Sequence, residues 1–280
     1  MKRTILYHLV QTLGGIALTD WNQTSQETKR VLAPHEPPPL EVVNAQGSSE
    51  FFLICEHAGN RIPESLGDMG LSEEDRQRHI AWDIGARAVA LELSKMLDAP
   101  LYMQRYSRLV CDCNRRPDVP SFAPEKSEAT IVPANQNLSA ADREARAEEI
   151  FWPFHNAVME ALDARDAAGR TTKLVTVHSF TPVFHGEKRP WEIGVLFNRD
   201  RDFAPRIYEW LTTNTDRVIG SNEPYAVGDD SDYAIPVHGE KRGIPCVEFE
   251  IRNDLIADPA NAPRWAGYLR DAVTAVTAVL

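Results

Sequence analysis

"FFLICEHAGNRIPESLG", residues 51–67, decides how the rest of the chain is read. Five residues from Phe51 to Cys55 form an unbroken apolar run bounded by turn formers, the pattern of a strand buried on both faces. The run stops at Glu56-His57, and Ala58, Gly59, Asn60 and Pro63 follow as turn residues. An imidazole therefore stands at the carboxyl end of a core strand, the edge where open α/β sheets place their ligands.

Outward from this strand, helical and strand patterns alternate. "LSEEDRQRHIAWDIGARAVALELSKMLD" (71–98) predicts one helix: Ser72 is placed to cap it, acids fill the first turn, and Ile80, Ile84, Ala88 and Leu91 fall at helical spacing. "APLYMQ" and "SRLVCDC" predict a pair of strands, and Asn114–Leu138 is a loop of about 25 residues, a length that is usually functional or disordered. Ser139 opens a helix running to Asp166. Strands are predicted at 173–180, 191–198 and 244–254, with helices at "APRIYEWL" and from Ala262 to the end. The alternation predicts a three-layer α/β/α sandwich, and strands joined without a crossover helix predict a mixed sheet. Residues 1–48, with the Pro-rich "APHEPPPLEV", are read as an N-terminal extension or arm, and 49–280 as a single α/β domain. His8, Gln11 and Thr12 interrupt the apolar N-terminus, so an amphipathic helix or frayed extension is expected there rather than a signal peptide.

The chain has 280 residues, 43% hydrophobic, with a formal net charge of -11. That charge argues against a nucleic-acid surface, which needs clustered Lys and Arg. No apolar run approaches the ~20 residues of a membrane span. Cys55, Cys111, Cys113 and Cys246 lie in or beside apolar runs. Cys111 and Cys113 would share a strand face but lack the second Cys pair of a structural zinc site, so a reduced, cytoplasmic protein is expected. "HGEKR" occurs at 185–189 and again at 238–242, in loops before strands, with unrelated flanks.

Three strand ends finish in ionisable groups: His57, His178 in "LVTVHSF", and Glu250 in "VEFEIRND". One such histidine is more often a hydrogen-bonded structural group; three endings on the cleft edge point to a site. Two imidazoles suit Zn²⁺, and a carboxylate that is not a ligand can take a proton from water attacking a carbonyl, which is metal-assisted hydrolysis. Asp83 in "HIAWDIGA" is the candidate third ligand, with a surface or helix-pairing carboxylate as its ordinary reading. Asn60 and Glu56 are contenders, although Asn ligates zinc poorly and Glu56 would point away from its neighbour if the strand persists. His79, four residues before Asp83, would share a helical face with it. "RYSRLVCDCNRRP" (105–117) holds four Arg against one Asp in an acidic protein. It reads either as a solvated strand edge or as a receptor for a carboxylate, with Asn114 adding an amide donor. Arg252 shares a strand face with Glu250 and would reach the same cleft.

The set "CEHAGNRIP", "AWDIGA", "YSRLVCDCNRRP", "VTVHSFTP", "NEPY" and "VEFEIRNDLI" resembles the N-formylglutamate amidohydrolase family, in order from about residue 50 to 256. The resemblance implies a zinc carboxypeptidase-like fold and hydrolysis of an N-formyl or N-acyl amino acid, with formate and glutamate released in the named case. It implies that His57 and His178 bind metal, that Glu250 is the catalytic glutamate and that Asn114-Arg115 grips the substrate carboxylate. The carboxypeptidase His-x-x-Glu metal motif reads His57-Ala58-Gly59-Asn60 here, which leaves the third ligand open. The resulting expectation is one Zn²⁺ per chain on His57, His178 and Asp83. Glu250 is the general base, and Arg115, Asn114, Arg108 and Arg252 anchor a small acidic substrate. His238 serves as an oxyanion donor or proton shuttle, or is an ordinary loop histidine. Two rival readings are a non-catalytic module that binds an acidic metabolite, and a thiol amidase using Cys55 or Cys246.

Overall fold

A computed structural model describes residues 30–280; the expected N-terminal helix, and the part of the arm before residue 30, lie outside the described residues. The strands are β1 (Leu40–Val43), β2 (Phe51–Cys55), β3 (Leu101–Gln104), β4 (Lys126–Ser127), β5 (Thr130–Ile131), β6 (Lys173–Phe180), β7 (Val183–Phe184), β8 (Glu187–Lys188), β9 (Ile193–Leu196), β10 (Ile219–Ser221) and β11 (Cys246–Arg252). The helices are α1 (Glu73–Gln77), α2 (Ala86–Leu97), α3 (Ala140–Arg146), α4 (Trp152–Ala167), α5 (Phe203–Asn214) and α6 (Ala262–Thr277).

Seven strands form one sheet in the order β1-β3-β2-β6-β11-β9-β10. The sheet is mixed. β3, β2, β6 and β11 run parallel to one another, β1 is antiparallel to β3, and β9 is antiparallel to β11. The strand alternation sorts the core into two layers. Leu53, Cys55, Val175, Val177, Val247 and Phe249 pack on α2, α5 and α6, whereas Phe52, Ile54, Leu174 and Cys246 pack with Phe154, Val158 and Leu162 of α4. Helices therefore cover both faces, as the α/β/α expectation requires. No described helix is long and apolar enough to cross a membrane.

Three local expectations are corrected. Residues 71–98 are two helices rather than one: α1, capped by Ser72 Oγ accepting from Asp75 N, and α2. The apolar stripe was shared between two cores, since Ile80 and Ala81 join the α4 layer while Ala86, Val89 and Leu93 join the other. The chain crosses the top of β2 between them, with Asp83 N donating to His57 O at 2.9 Å. Gly85 permits the crossing: its φ is 83°, and a Cβ there would lie 2.3 Å from Ile256 O.

"SRLVCDC" is a series of turns with Val110 N donating to Ser107 O, not a strand. Consecutive Leu109, Val110 and Cys111 are all buried on one side, which alternation forbids for a strand over a solvated face. The partner of β3 is instead β1, with Leu40 opposite Gln104 and Val43 opposite Leu101, drawn from the stretch read as an arm.

Candidate active site

The site grows out of the sheet register. In β6 and β11, Glu250 stands beside His178 and Glu248 beside Thr176, so all four side chains share the α4 face. His57 follows β2 directly, and the crossing segment lowers Asp83 onto the same spot.

These three converge. Asp83 Oδ2 lies 2.9 Å from His178 Nδ1 and 3.4 Å from His57 Nδ1, and the two Nδ1 atoms are 3.2 Å apart. A tetrahedral ion with bonds of ~2.0–2.1 Å has ligand–ligand edges of ~3.3–3.4 Å, so the triangle is already close to the size of one coordination face. All three residues are buried.

At His57 the outer ring nitrogen fixes which atom can ligate. His57 Nε2 is 2.7 Å from Asp112 Oδ1, and a carboxylate only accepts, so the proton sits on Nε2 and leaves Nδ1 as a lone pair. His178 Nε2 lies 3.0 Å from Glu56 Oε2 without a hydrogen bond between them, and this ring's hydrogen bond to a carboxylate is the one from Nδ1 to Asp83 Oδ2, at 2.9 Å. Glu56 is thus neither turned away nor a third ligand. The strand ends at Cys55, and Glu56, on the Ile54 side, is buried behind His178 with no hydrogen bond to either oxygen. Asn60 turns off to Arg76 O and Gln77 Oε1, at 3.2 and 3.1 Å.

Electrostatics match a cation site. Burial works against the charge of Asp83, yet His57 and His178 outweigh it and hold the carboxyl well below its usual range. Burial alone would lower His178; Glu248, Glu56 and Asp83 carry it well above the usual imidazole range. Glu248 is pushed up to about 7 by burial. Glu250 rises well above the ordinary value through burial and the nearby charge of Asp83, and its Oε2 is buried without a partner. Such a site favours a positive charge and holds protons where none is bound.

A cavity of about 300 Å³ opens over the triad, lined among others by His57, His178, Glu250, Arg108, Arg115 and Tyr225. A larger, more open groove of about 750 Å³ on the other side of Asp232 holds none of the triad. The cavity over the triad is the one that brings these imidazoles, carboxylates and guanidinium groups together.

The anchoring residues divide. Arg115 lines the cavity, with Nη1 bonded to Asn114 O at 2.8 Å and near Asp232 Oδ1 at 3.3 Å. Arg108 also lines it but is spent partly on Asp112, through Nε at 3.1 Å and Nη2 at 2.9 Å, and on Asp83 Oδ1 at 3.3 Å. Asn114 is buried and committed to the protein: its Oδ1 accepts from Tyr233 N and Ala234 N and its Nδ2 donates to Asp232. Arg252 does not reach the cavity. It pairs with Asp254 at 2.8 Å and sits at the Arg189 and Pro190 carbonyls, because the strand ends there and the chain turns away.

His238 is corrected as well. It lies in a π-helical turn, Ile235–Gly239, is fully buried, and does not line the cavity. Its Nε2 is 2.8 Å from His155 Nδ1, and His155 Nε2 is 2.8 Å from Cys113 O. His79 lies at the rim, with Nδ1 3.7 Å from Asp83 Oδ1, although neither residue is helical. The thiols stand apart from the site: Cys55 faces the opposite core layer, neither Cys55 nor Cys246 lines the cavity, and burial pushes both above their usual range.

Sequence reasoning passed over Asp112, Glu248, Asp232 and Tyr225 as site residues. Glu248 left a signal in its alternation with Glu250 in "VEFEIR", and Asp112 and Tyr225 lie inside the quoted motifs "YSRLVCDCNRRP" and "NEPY".

Comparison with known proteins places this geometry. A family model described as N-formylglutamate amidohydrolase matches residues 49–257. The crystal structure of gene product Atu2144 from Agrobacterium tumefaciens is 39% identical, covering 89% of this chain and 99% of that one, with a TM-score of 0.86. N-formylglutamate amidohydrolase from Ralstonia eutropha JMP134 is 15% identical over 87% of this chain and 98% of that one, with a TM-score of 0.67, a likeness of fold. No curated protein matches the sequence. With most of its length matched by that model, and its fold shared with both structures, the chain belongs to the N-formylglutamate amidohydrolase family.

Proposed function

We propose that this chain is a zinc-dependent amidohydrolase that cleaves the acyl amide of N-formyl-L-glutamate, or of a related N-acyl amino acid, to formate or the corresponding acid and the free amino acid. The observation that carries the reading is the triangle of His57 Nδ1, His178 Nδ1 and Asp83 Oδ2 with edges of 2.9–3.4 Å, one residue across from the buried Glu250. Two nitrogens and one oxygen are a donor set for zinc with a fourth position open. When bound, one Zn²⁺ per chain would polarise the acyl carbonyl and make water acidic enough to attack at neutral pH.

The chain's own residues do the rest. Asp112 holds the His57 imidazole in the ligating tautomer, and Glu56 places a carboxylate beside the outer nitrogen of His178. Glu250 takes a proton from the attacking water and delivers one to the leaving nitrogen, so water adds across the C–N bond and the amine departs neutral. Arg115, with Arg108, offers guanidinium donors to the substrate carboxylate from the cavity wall.

The test is turnover by protein loaded with zinc and by protein stripped of metal, on N-formylglutamate, N-acetylglutamate and N-formyl amino acids with neutral side chains. Zinc near one per chain with turnover only in the loaded form supports the reading. Tight binding of these compounds with no turnover at full zinc would replace it with a binding module.

A further inference from the structure

Arg189 is a buried cation with no counter-ion among the described residues. It follows β8, is 8% exposed, and its guanidinium carbon lies 4.4 Å from the ring centre of Phe184, 4.7 Å from Tyr225 and 5.8 Å from Phe180. Among the described residues, no carboxylate lies within ion-pair distance of it, and its one side-chain hydrogen bond runs from Nη1 to Tyr225 Oη, at 2.9 Å. Buried cations are ordinarily paired, so one held by aromatic faces alone calls for a reason. The backbone is fixed from both sides: Arg189 N donates to Pro182 O, and Arg252 Nη1 sits 3.5 Å from Arg189 O.

Tyr225 supplies the reason. It lines both the cavity over the triad and an adjoining cavity of about 240 Å³ that also contains Phe184. A phenol oxygen accepts hydrogen bonds and donates one. Arg189 has no acceptor, so it fills the accepting side of Tyr225 Oη.

We propose that Arg189 is the positioning residue of Tyr225: its donated hydrogen bond fixes the phenol and leaves the phenol's own proton for an oxygen of the substrate bound in the cleft. The inference rests on the amidohydrolase reading. Burial and the charge of Glu250 raise the phenol above its ordinary value, against Arg189 and Arg108, so it is a neutral donor at neutral pH.

Two measurements test it. In protein carrying 3-fluorotyrosine, the Tyr225 resonance is assigned by its loss in Tyr225→Phe and followed against pH. Arg189→Met should raise its midpoint by about one unit or more, since a cation at the phenol oxygen is lost, whereas Arg189→Lys, which keeps the charge, should hold it below the Arg189→Met value. In turnover, Arg189→Met and Tyr225→Phe should each lower kcat/KM by about tenfold or more, and the double variant should lose no more than Tyr225→Phe alone. An unmoved midpoint, or losses that multiply, overturns the proposal. The fluorine titration is read on the protein alone, so it decides the Arg189–Tyr225 contact even if no N-acyl amino acid is hydrolysed.

Discussion

Asp112 grips His57 and Arg108 at once: its Oδ1 is 2.7 Å from His57 Nε2, while its Oδ2 accepts from Arg108 Nε and Nη2 at 3.1 and 2.9 Å. The guanidinium keeps the carboxylate ionised despite burial, and the carboxylate keeps the imidazole proton on Nε2. Asp112→Asn keeps the shape but presents an amide that can equally donate. Zinc affinity is expected to fall ~10–100-fold, read by competition with a chromophoric chelator. Unchanged affinity would show that the tautomer is set elsewhere.

Glu250 should be separable from metal binding, since it stands beside His178 in the register without being one of the three converging residues. Glu250→Gln should keep zinc near the wild-type content and lower kcat by ~10²–10⁴. An unaltered kcat would take Glu250 out of the chemistry.

How much of this was legible follows from which forces are local. β6 and β11 could be read to within two residues, because buried strands are continuous apolar runs, and His178 and Glu250 came with them. His57 was legible for the same reason. Asp83 is legible as a candidate third ligand only through a wrong local structure. The helix that was to carry it breaks at the crossing, and only the two separate core layers reveal that. Asp112 was counted as a charge among arginines, since nothing in its spacing says that it faces His57 across 55 positions of chain. Arg252 shows the opposite failure. Alternation put it on the correct face, but the strand end and Asp254 took it away from the cavity.

Arg115 offers a carboxylate receptor whose use can be isolated. Arg115→Met should raise KM for an N-acyl amino acid ~10–100-fold, the scale of one charge-assisted hydrogen-bonded contact. The same substitution should leave KM nearly unchanged for the analogue whose carboxylates are amidated. A uniform loss on both compounds would mean that Arg115 instead props the Asp232 segment, to which it is also bonded.

His238 gives the fold a pH dependence of its own. His155 Nε2 donates to Cys113 O, which leaves Nδ1 as an acceptor, so His238 Nε2 must donate to it. Burial lowers His238 from its ordinary value of 6.5 to about 4 in the folded protein. Between those values the unfolded chain binds a proton that the folded chain refuses, so stability is full above about pH 6.5 and falls as pH drops toward 4. The share from His238 is roughly 3 kcal/mol across that window. Gln at 238 can still donate to His155 but cannot titrate. Urea unfolding at pH 7, 5.5 and 4.5 should therefore show a shallower acid loss in His238→Gln than in the parent. Equal slopes would mean that His238 is protonated inside the fold, with Glu56 as its partner.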